Sequence, residues 1–327
     1  MKRIGLVFAF FLGALIVAAG AAVCYSLFGF RKSYPMPLPK IQISEETETI
    51  ARGRYLAYGP ARCADCHINE TERTRLNRGE EPSLSGGYVL STYLGDFFAS
   101  NITPDSATGI GSRSDGQLAR MFRNGVNSDG HIALPFMDSY ADMAENDLTA
   151  ILSFLRSQNP VSNKVPPHRV NLLGKITLTY FIQPYVPESP PALIKYPEPS
   201  AHYGEYLAKV MGGCRACHTA RNMKTGDYVG PPFAGGMVLP SKTRPGINFV
   251  SPNLTPDSAT GHIIAWDEET FIARFRAGAI IPDSPMPWSC FTRMTGDDLR
   301  ALFRFFNSLK PVVRDNGQTV QNTATAK

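Results

Sequence analysis

Two short segments of the 327-residue chain hold residues able to do chemistry together: CADCH, with Cys63, Cys66 and His67, and CRACH, with Cys214, Cys217 and His218. In C-x-x-C-H two thiols stand three residues apart and an imidazole follows directly. That spacing lets the thiols reach two vinyl groups on one side of a porphyrin while the histidine points at its iron, the mark of covalently attached c-type haem. Two rival chemistries use similar pairs. A structural zinc site wants four ligands from Cys and His, whereas each segment offers three, with no second close C-x-x-C or H-x-x-x-H. A redox dithiol sits after a strand within a βαβ unit, and this chain reads as short helices and loops without that pattern. The expectation is therefore two covalently bound haem c groups, tethered at Cys63, Cys66, Cys214 and Cys217, with His67 and His218 on iron.

The opposite iron position calls for Met or His in the loop before the last helix of each half. SPMPWSCF offers Met286, whose flanking prolines would hold an extended strap, and ALPFMDSY offers Met137. Counted from the final helix, Met286 lies opposite Pro135 and Met137 opposite Trp288, so the two straps must differ in shape by two residues. A thioether is a soft ligand that favours reduced iron and raises its potential. Rivals are Met143, Met294 and His131; His131 and His262 read as loop residues, and Cys290 as a small buried hydrophobe. Pro82 and Pro231 are candidates for a further role, each supplying the carbonyl that takes the Nδ1 hydrogen of the proximal histidine. Both read equally as plain loop prolines.

The elements that must position these groups come as a tandem repeat. GRYLAYGPARCADCH (53–67) matches GEYLAKVMGGCRACH (204–218) at an offset of 151, NITPDSATG (101–109) matches NLTPDSATG (253–261) at 152, and DLTAILSFLRSQNPV matches DLRALFRFFNSLKPV at 151. Each copy runs from a short helix, opened by Ser44 in the first, through C-x-x-C-H, a Pro/Gly loop (PSLSGG or PPFAGG) and the TPDSATG turn. A helix capped by Ser114 or Asp115, or by Asp267, comes next, then a methionine-bearing loop and the last helix. That helix carries a core stripe at i, i+3, i+4 and i+7, Leu148, Ile151, Leu152 and Leu155 in one copy and Leu299, Leu302, Phe303 and Phe306 in the other. Residues 162–197 hold many prolines, including Pro166, Pro167, Pro184, Pro187, Pro190, Pro191 and Pro197. They read as a linker whose apolar patch NLLGKITLTYFI lies on a module surface.

At 43% hydrophobic and 19% charged the chain is globular. Its net charge of +5 comes from residues 1–40, and the remainder balances at 28 basic against 28 acidic residues, which excludes a nucleic-acid-binding excess. Lys2 and Arg3 precede an almost unbroken apolar run from Ile4 to Val23, continued by CYSLFGF before Arg31 and Lys32. The run exceeds a cleavable signal and is long enough to span a hydrocarbon core of about 30 Å, so it reads as an uncleaved anchor. The competing reading is cleavage near Ala19-Gly20-Ala21. Lipidation of Cys24 is disfavoured by the large Val23 before it.

These residues resemble the class I cytochrome c domain, as found in the cytochrome subunits of membrane-bound bacterial alcohol and gluconate dehydrogenases. The likeness rests on C-x-x-C-H, N-[IL]-T-P-D-x-x-T-G, the MPW strap of the second copy and the D-L-x-A-[IL] helix. It implies an all-α fold around each haem, His/Met ligation through His67 with Met137 and His218 with Met286, and electron transfer from a periplasmic dehydrogenase toward quinone or a terminal oxidase. Those subunits usually carry three modules and this chain two, and the first strap lacks the M-P-[YW] form. The expected organisation is an N-terminal transmembrane helix (1–31), cytochrome c domains at 45–161 and 198–313, the linker at 162–197 and a tail at 314–327. The expected function is an electron carrier held in a bacterial inner membrane with its haem domains on the periplasmic side. The alternative is a di-haem enzyme, peroxidase-like or thiosulfate-oxidising, which would need one iron with an open sixth position.

Overall fold

The computed structural model describes residues 2–133, 137, 140–187, 193–194, 198–222 and 226–322; Pro135, Pro190, Pro191 and Pro197 of the sequence reading lie outside them. The apolar run forms α1 (Lys2–Gly29), which is exposed along most of its length and touches the helix Leu172–Tyr180 near its C-terminal end, at Ala22, at Tyr25 and, just beyond it, at Phe30. Beyond it the chain lies along the first half, where Tyr34 N donates to Gly130 O (2.8 Å) and Ser33 bridges His131.

The first half comprises α2 (Thr47–Tyr58), α3 (Cys63–His67), α4 (Arg73–Asn77), β1 (Val89–Thr92), β2 (Gly95–Phe98), α5 (Asp115–Asn124), α6 (Glu145–Ser157) and β3 (Arg169–Val170). After α7 (Leu172–Tyr180) the same order returns: α8 (Ala201–Tyr206) running into a wide π-type turn (Leu207–Met211), α9 (Cys214–Cys217), β4 (Val238–Pro240), β5 (Ile247–Val250), α10 (Glu268–Arg276), α11 (Trp288–Phe291), α12 (Gly296–Ser308) and β6 (Val320–Asn322). Ser114 and Asp267 cap α5 and α10, Ser114 in a capping box with Gln117. The first helix starts later than expected: Glu46 stands at its cap, and Ser44 instead accepts from Glu46 N and donates its own N–H to Ser153 Oγ.

The chain is helix-rich, but two small antiparallel sheets, β1-β2-β3 and β4-β5-β6, depart from the all-helical expectation. Strands of two to four residues carry too little alternation to be read from sequence. Their third strands come from 169–170 and 320–322, segments expected to be linker and tail. The structural repeat therefore continues past 161 and 313.

Each half is built on one helix crossing. A Cβ on Gly53 would lie 1.9 Å from Ala150 O, and one on Gly204 1.9 Å from Ala301 O, so α2 rests on α6, and α8 on α12, at backbone contact. Leu148, Ile151, Leu152 and Leu155 are buried there, as are Leu299, Leu302 and Phe306. Phe303 is only half-buried, against the Phe271 ring, and Phe305 takes the core position.

The halves are joined by a reciprocal exchange. Tyr55 Oη donates to Asp298 and accepts from Thr295 N (3.0 Å), while Tyr206 Oη donates to Asp147 Oδ2 (2.8 Å) and accepts from Ala144 N (3.2 Å). Each pair is the other shifted by 151 residues, which gives the interface a pseudo-two-fold. Both carboxylates are buried, and burial together with Asp298 pushes the Tyr55 hydroxyl well above its ordinary range. Arg52 adds an ion pair to Asp147 (3.1 Å), and Glu81 is held between Arg54 and Arg293 of the other half.

Replacing an exposed helical Gly by Ala ordinarily gains up to about 1 kcal/mol. Gly204→Ala is expected to reverse that sign and cost roughly 1–3 kcal/mol in denaturant unfolding. Gly296→Ala, whose Cβ would meet nothing nearer than Arg300 at 3.4 Å, should stay within about 0.5 kcal/mol of the parent. Equal stability of parent and Gly204→Ala would contradict the tight crossing.

Candidate functional site

Both C-x-x-C-H segments are short helices entered through a left-handed residue, Arg62 (φ 55°) before α3 and Gly213 (φ 59°) before α9. Behind each, the histidine carbonyl accepts a backbone N–H from the Pro/Gly loop, Gly86 N to His67 O (2.8 Å) and Gly235 N to His218 O (2.9 Å). The rings are tied as well. His67 Nδ1 lies 2.8 Å from Ser100 O, and His218 Nδ1 3.2 Å from Pro252 O. A carbonyl only accepts, so Nδ1 carries the proton and Nε2 keeps its lone pair. Burial lowers both imidazoles, His218 to about 4, which holds them neutral, the form a metal ligand needs.

This geometry corrects the expectation for Pro82 and Pro231. The Pro82 carbonyl takes the Tyr58 hydroxyl (2.7 Å) and the Pro231 carbonyl takes Ala234 N (3.2 Å), while Ser100 and Pro252 serve the histidines. The reason lies in the next residues. Ser100 and Pro252 immediately precede the N-x-T-P-D-x-x-T-G turns, which are rigid. Asn101 Oδ1 accepts from Thr103 N and Oγ1 (3.0 and 2.7 Å), and its Nδ2 donates to Thr108 Oγ1 and Val161 O (3.1 and 2.8 Å). Asn253 repeats the set with Thr255, Thr260 and Val312. The turn thus clamps the chain leaving the last helix to the carbonyl that orients the ring.

The thiols are poor nucleophiles. Burial pushes Cys63 and Cys214 up to about 12 and Cys66 up to about 11, and raises Cys217 too. Reactive dithiols and zinc thiolates need the opposite shift. Cys66 and Cys217 are nonetheless solvent-accessible and none of the four is in a disulfide, so each half presents one accessible thiol beside a more enclosed one. Among the described residues no three Cys, His, Asp or Glu side chains converge as a small-ion site would require.

Met137 and Met286 are half-buried and pack against the core edge, whereas Met143 and Met294, themselves 151 residues apart, are fully enclosed and serve as core filling. Pro287 opens α11 directly after Met286, and Trp288 N donates to Met286 O (2.7 Å). His131 is engaged with Lys32 O (3.3 Å) beside the segment that follows α1, and His262 is exposed against the Trp266 ring. Cys290 is buried, as expected.

Residues that the sequence did not single out bring the two segments together. Arg62 reaches across the pseudo-two-fold: its Nη2 lies 2.9 Å from where a Gly213 Cβ would stand and its guanidinium lies 6.0 Å from the Phe291 ring centre. The same charge is felt by Cys63, Cys66, Cys214 and Cys217. Its buried Nε has no hydrogen-bond partner among the described residues, and neither do those of Arg215 and Arg221, both stacked on Tyr228. The one visible hint was a break in the repeat, Arg62 standing where the second copy has Gly213. Tyr140 completes the first half by donating to Ala61 O.

No family model matches the chain. It is 28% identical over 296 residues to the cytochrome c subunit of the quinone alcohol dehydrogenase of Gluconobacter oxydans, covering 83% of this chain and 58% of that subunit. A gluconate 2-dehydrogenase cytochrome c subunit from Pantoea cypripedii is 27% identical over 288 residues, 83% of this chain and 61% of the subunit. A dihaem cytochrome c from Cereibacter sphaeroides is 28% identical over 221 residues, 64% of this chain and 68% of that protein. This chain is a relative of c-type cytochromes. The chain spans about three fifths of the length of these two dehydrogenase subunits. The relationship agrees with the family likeness drawn from the motifs, and it supports covalently bound haem c and electron transfer.

Asn101→Ala removes four hydrogen bonds from the turn beside His67. It is expected to cost roughly 2–4 kcal/mol in denaturant unfolding, and an unchanged midpoint would show that the turn is not the clamp described.

Proposed function

We propose that the chain is a two-haem c-type cytochrome, with the halves at 45–161 and 198–313 as tandem cytochrome c domains and α1 anchoring them on the periplasmic side of a bacterial inner membrane. It takes electrons from a dehydrogenase and passes them toward a terminal acceptor. The observation that carries this reading is the duplicated histidine geometry, a neutral ring with Nδ1 committed to a carbonyl and Nε2 left to bind iron, beside a thiol pair at the tether spacing in both halves.

The residues present fit the group. Cys63 and Cys66 in one half, and Cys214 and Cys217 in the other, would hold the porphyrin edge, with His67 and His218 as proximal ligands. Met137 and Met286 would close the opposite faces. Arg62, Arg215 and Arg221 have buried Nε groups that suit an acidic porphyrin substituent. When bound, haem supplies a one-electron couple between ferric and ferrous iron. The protein's part is to orient: Ser100 and Pro252 fix the rings, and the methionine thioethers, as soft ligands, would favour the reduced state. If Met137 and Met286 both held iron, no open position would be left for a substrate, which would favour a carrier over the peroxidase-like or thiosulfate-oxidising alternative.

Mass analysis of the mature polypeptide is expected to find two added porphyrins, and Cys66→Ala to change the attachment in the first half alone; one porphyrin or none in the parent would overturn the proposal. Met286→Ala and Met137→Ala should each remove about half of the weak methionine-to-iron band at the red end of the spectrum and lower one of the two reduction potentials. A parent band accounting for a single haem would move the reading toward the di-haem enzyme.

A further inference from the structure

We propose that α7, with the turn of the β1–β2 hairpin beside it, is a second membrane contact, lying in the polar boundary of the bilayer where α1 emerges. The inference rests on the reading of α1 as an anchor. It begins from a helix with apolar residues on its outer side. In α7 the small residues Gly174 and Thr179 face the protein, while Leu172, Leu173 and Tyr180 face outward and Phe181 follows them, with Leu173 52% and Phe181 74% exposed. A helix on a water-facing surface puts its apolar side inward. Here Ile176 and Leu178 are half-buried, but Leu172, Leu173 and Tyr180 are left on the outside with small residues beneath.

The arrangement is built in. A Cβ on Gly174 would lie 2.2 Å from Leu94 O, so the helix rests directly on the hairpin turn. Asn171 accepts from Gly174 N (2.9 Å), donates through Nδ2 to Tyr93 O (2.8 Å) and through its backbone N–H to Leu94 O (3.0 Å). The outward side chains are therefore held in place, and exposed Tyr93 joins them at the turn.

Continuity with α1 names the occupant. Tyr180 Oη donates to Ala22 O (2.9 Å), the Tyr25 and Tyr180 rings lie 6.3 Å apart, and the Lys175 ammonium sits 5.2 Å from the Phe30 ring centre. From Leu6 to Ala22 a helix rises about 25 Å, close to the thickness of a hydrocarbon core of about 30 Å. Tyr180 then stands at the boundary level that tyrosines prefer, and Lys175, Arg31 and Lys32 meet the headgroups. An apolar face at that depth, next to a basic rim, matches a helix lying in the interface, and lipid is what surrounds the anchor there.

The test uses the full-length chain in vesicles of phosphatidylethanolamine and phosphatidylglycerol, with photoreactive p-benzoylphenylalanine replacing Leu173, Phe181, Leu15 or Val313 in turn. After illumination, intact-mass analysis reads phospholipid adducts. Leu15, exposed on α1, is the positive control, and Val313, exposed in the second half, is the negative one. Adducts at Leu173 and Phe181 far above those at Val313 are expected. Adducts at Leu15 with none at Leu173 and Phe181, or crosslinks there to polypeptide, would overturn the proposal and assign the face to a protein partner or a second copy. Absence of adducts at Leu15 as well would mean that the anchor reading itself fails, and the proposal with it.

Discussion

A hydrogen bond from an imidazole Nδ1 to a backbone carbonyl is the contact around which each half is arranged. It decides which nitrogen carries the proton and which way the other points. The carbonyl has to be immobile to do this, and it is made so by the adjacent Asn-Thr-Asp-Thr turn, whose amide and hydroxyl groups satisfy one another and hold the strand leaving the last helix. Cysteine helix, Pro/Gly loop and terminal helix are then fixed relative to the ring. The small sheets finish the same task, because their third strands are the continuation of that clamped segment.

Duplication of this unit leaves the halves alike where chemistry demands it and different where they meet. The asparagine side chains of the two turns take equivalent partners, and the glycine crossings agree to the atom contacted. At the seam the equivalence breaks: Arg62 occupies a left-handed position that costs a side-chain-bearing residue of order 1 kcal/mol, and Gly213 opposite it has no Cβ to obstruct the guanidinium. One basic group thereby serves both cysteine pairs.

Much of this was legible in the residues. The repeat offsets of 151 and 152 located the corresponding helices, the caps at Ser114 and Asp267 were readable, and the i, i+3, i+4 stripes marked the core. What escaped has physical reasons. Strands as short as Arg169–Val170 leave no periodic trace. The carbonyls of Ser100 and Pro252 are backbone atoms, carrying no side-chain signature, so proline loops nearer the motif looked equally suited. Phe303 and Phe305 exchange places because a broad apolar stripe does not specify its edge. The role of Arg62 depends on the other half's position, which no local pattern encodes.

The crossed tyrosines at the seam carry a consequence for how the chain holds together. Each half encloses a carboxylate whose partner hydroxyl is supplied by the opposite half, so separation takes a buried hydrogen-bond donor from both acids, Asp147 keeping its ion pair with Arg52. The two units are therefore expected to melt as one cooperative body, and drift at either tyrosine is constrained by an aspartate 243 residues away in sequence for Tyr55 and 59 for Tyr206. A gene fragment bearing a single copy would inherit the fold's pattern but lose the hydroxyl that its buried acid receives from the other half.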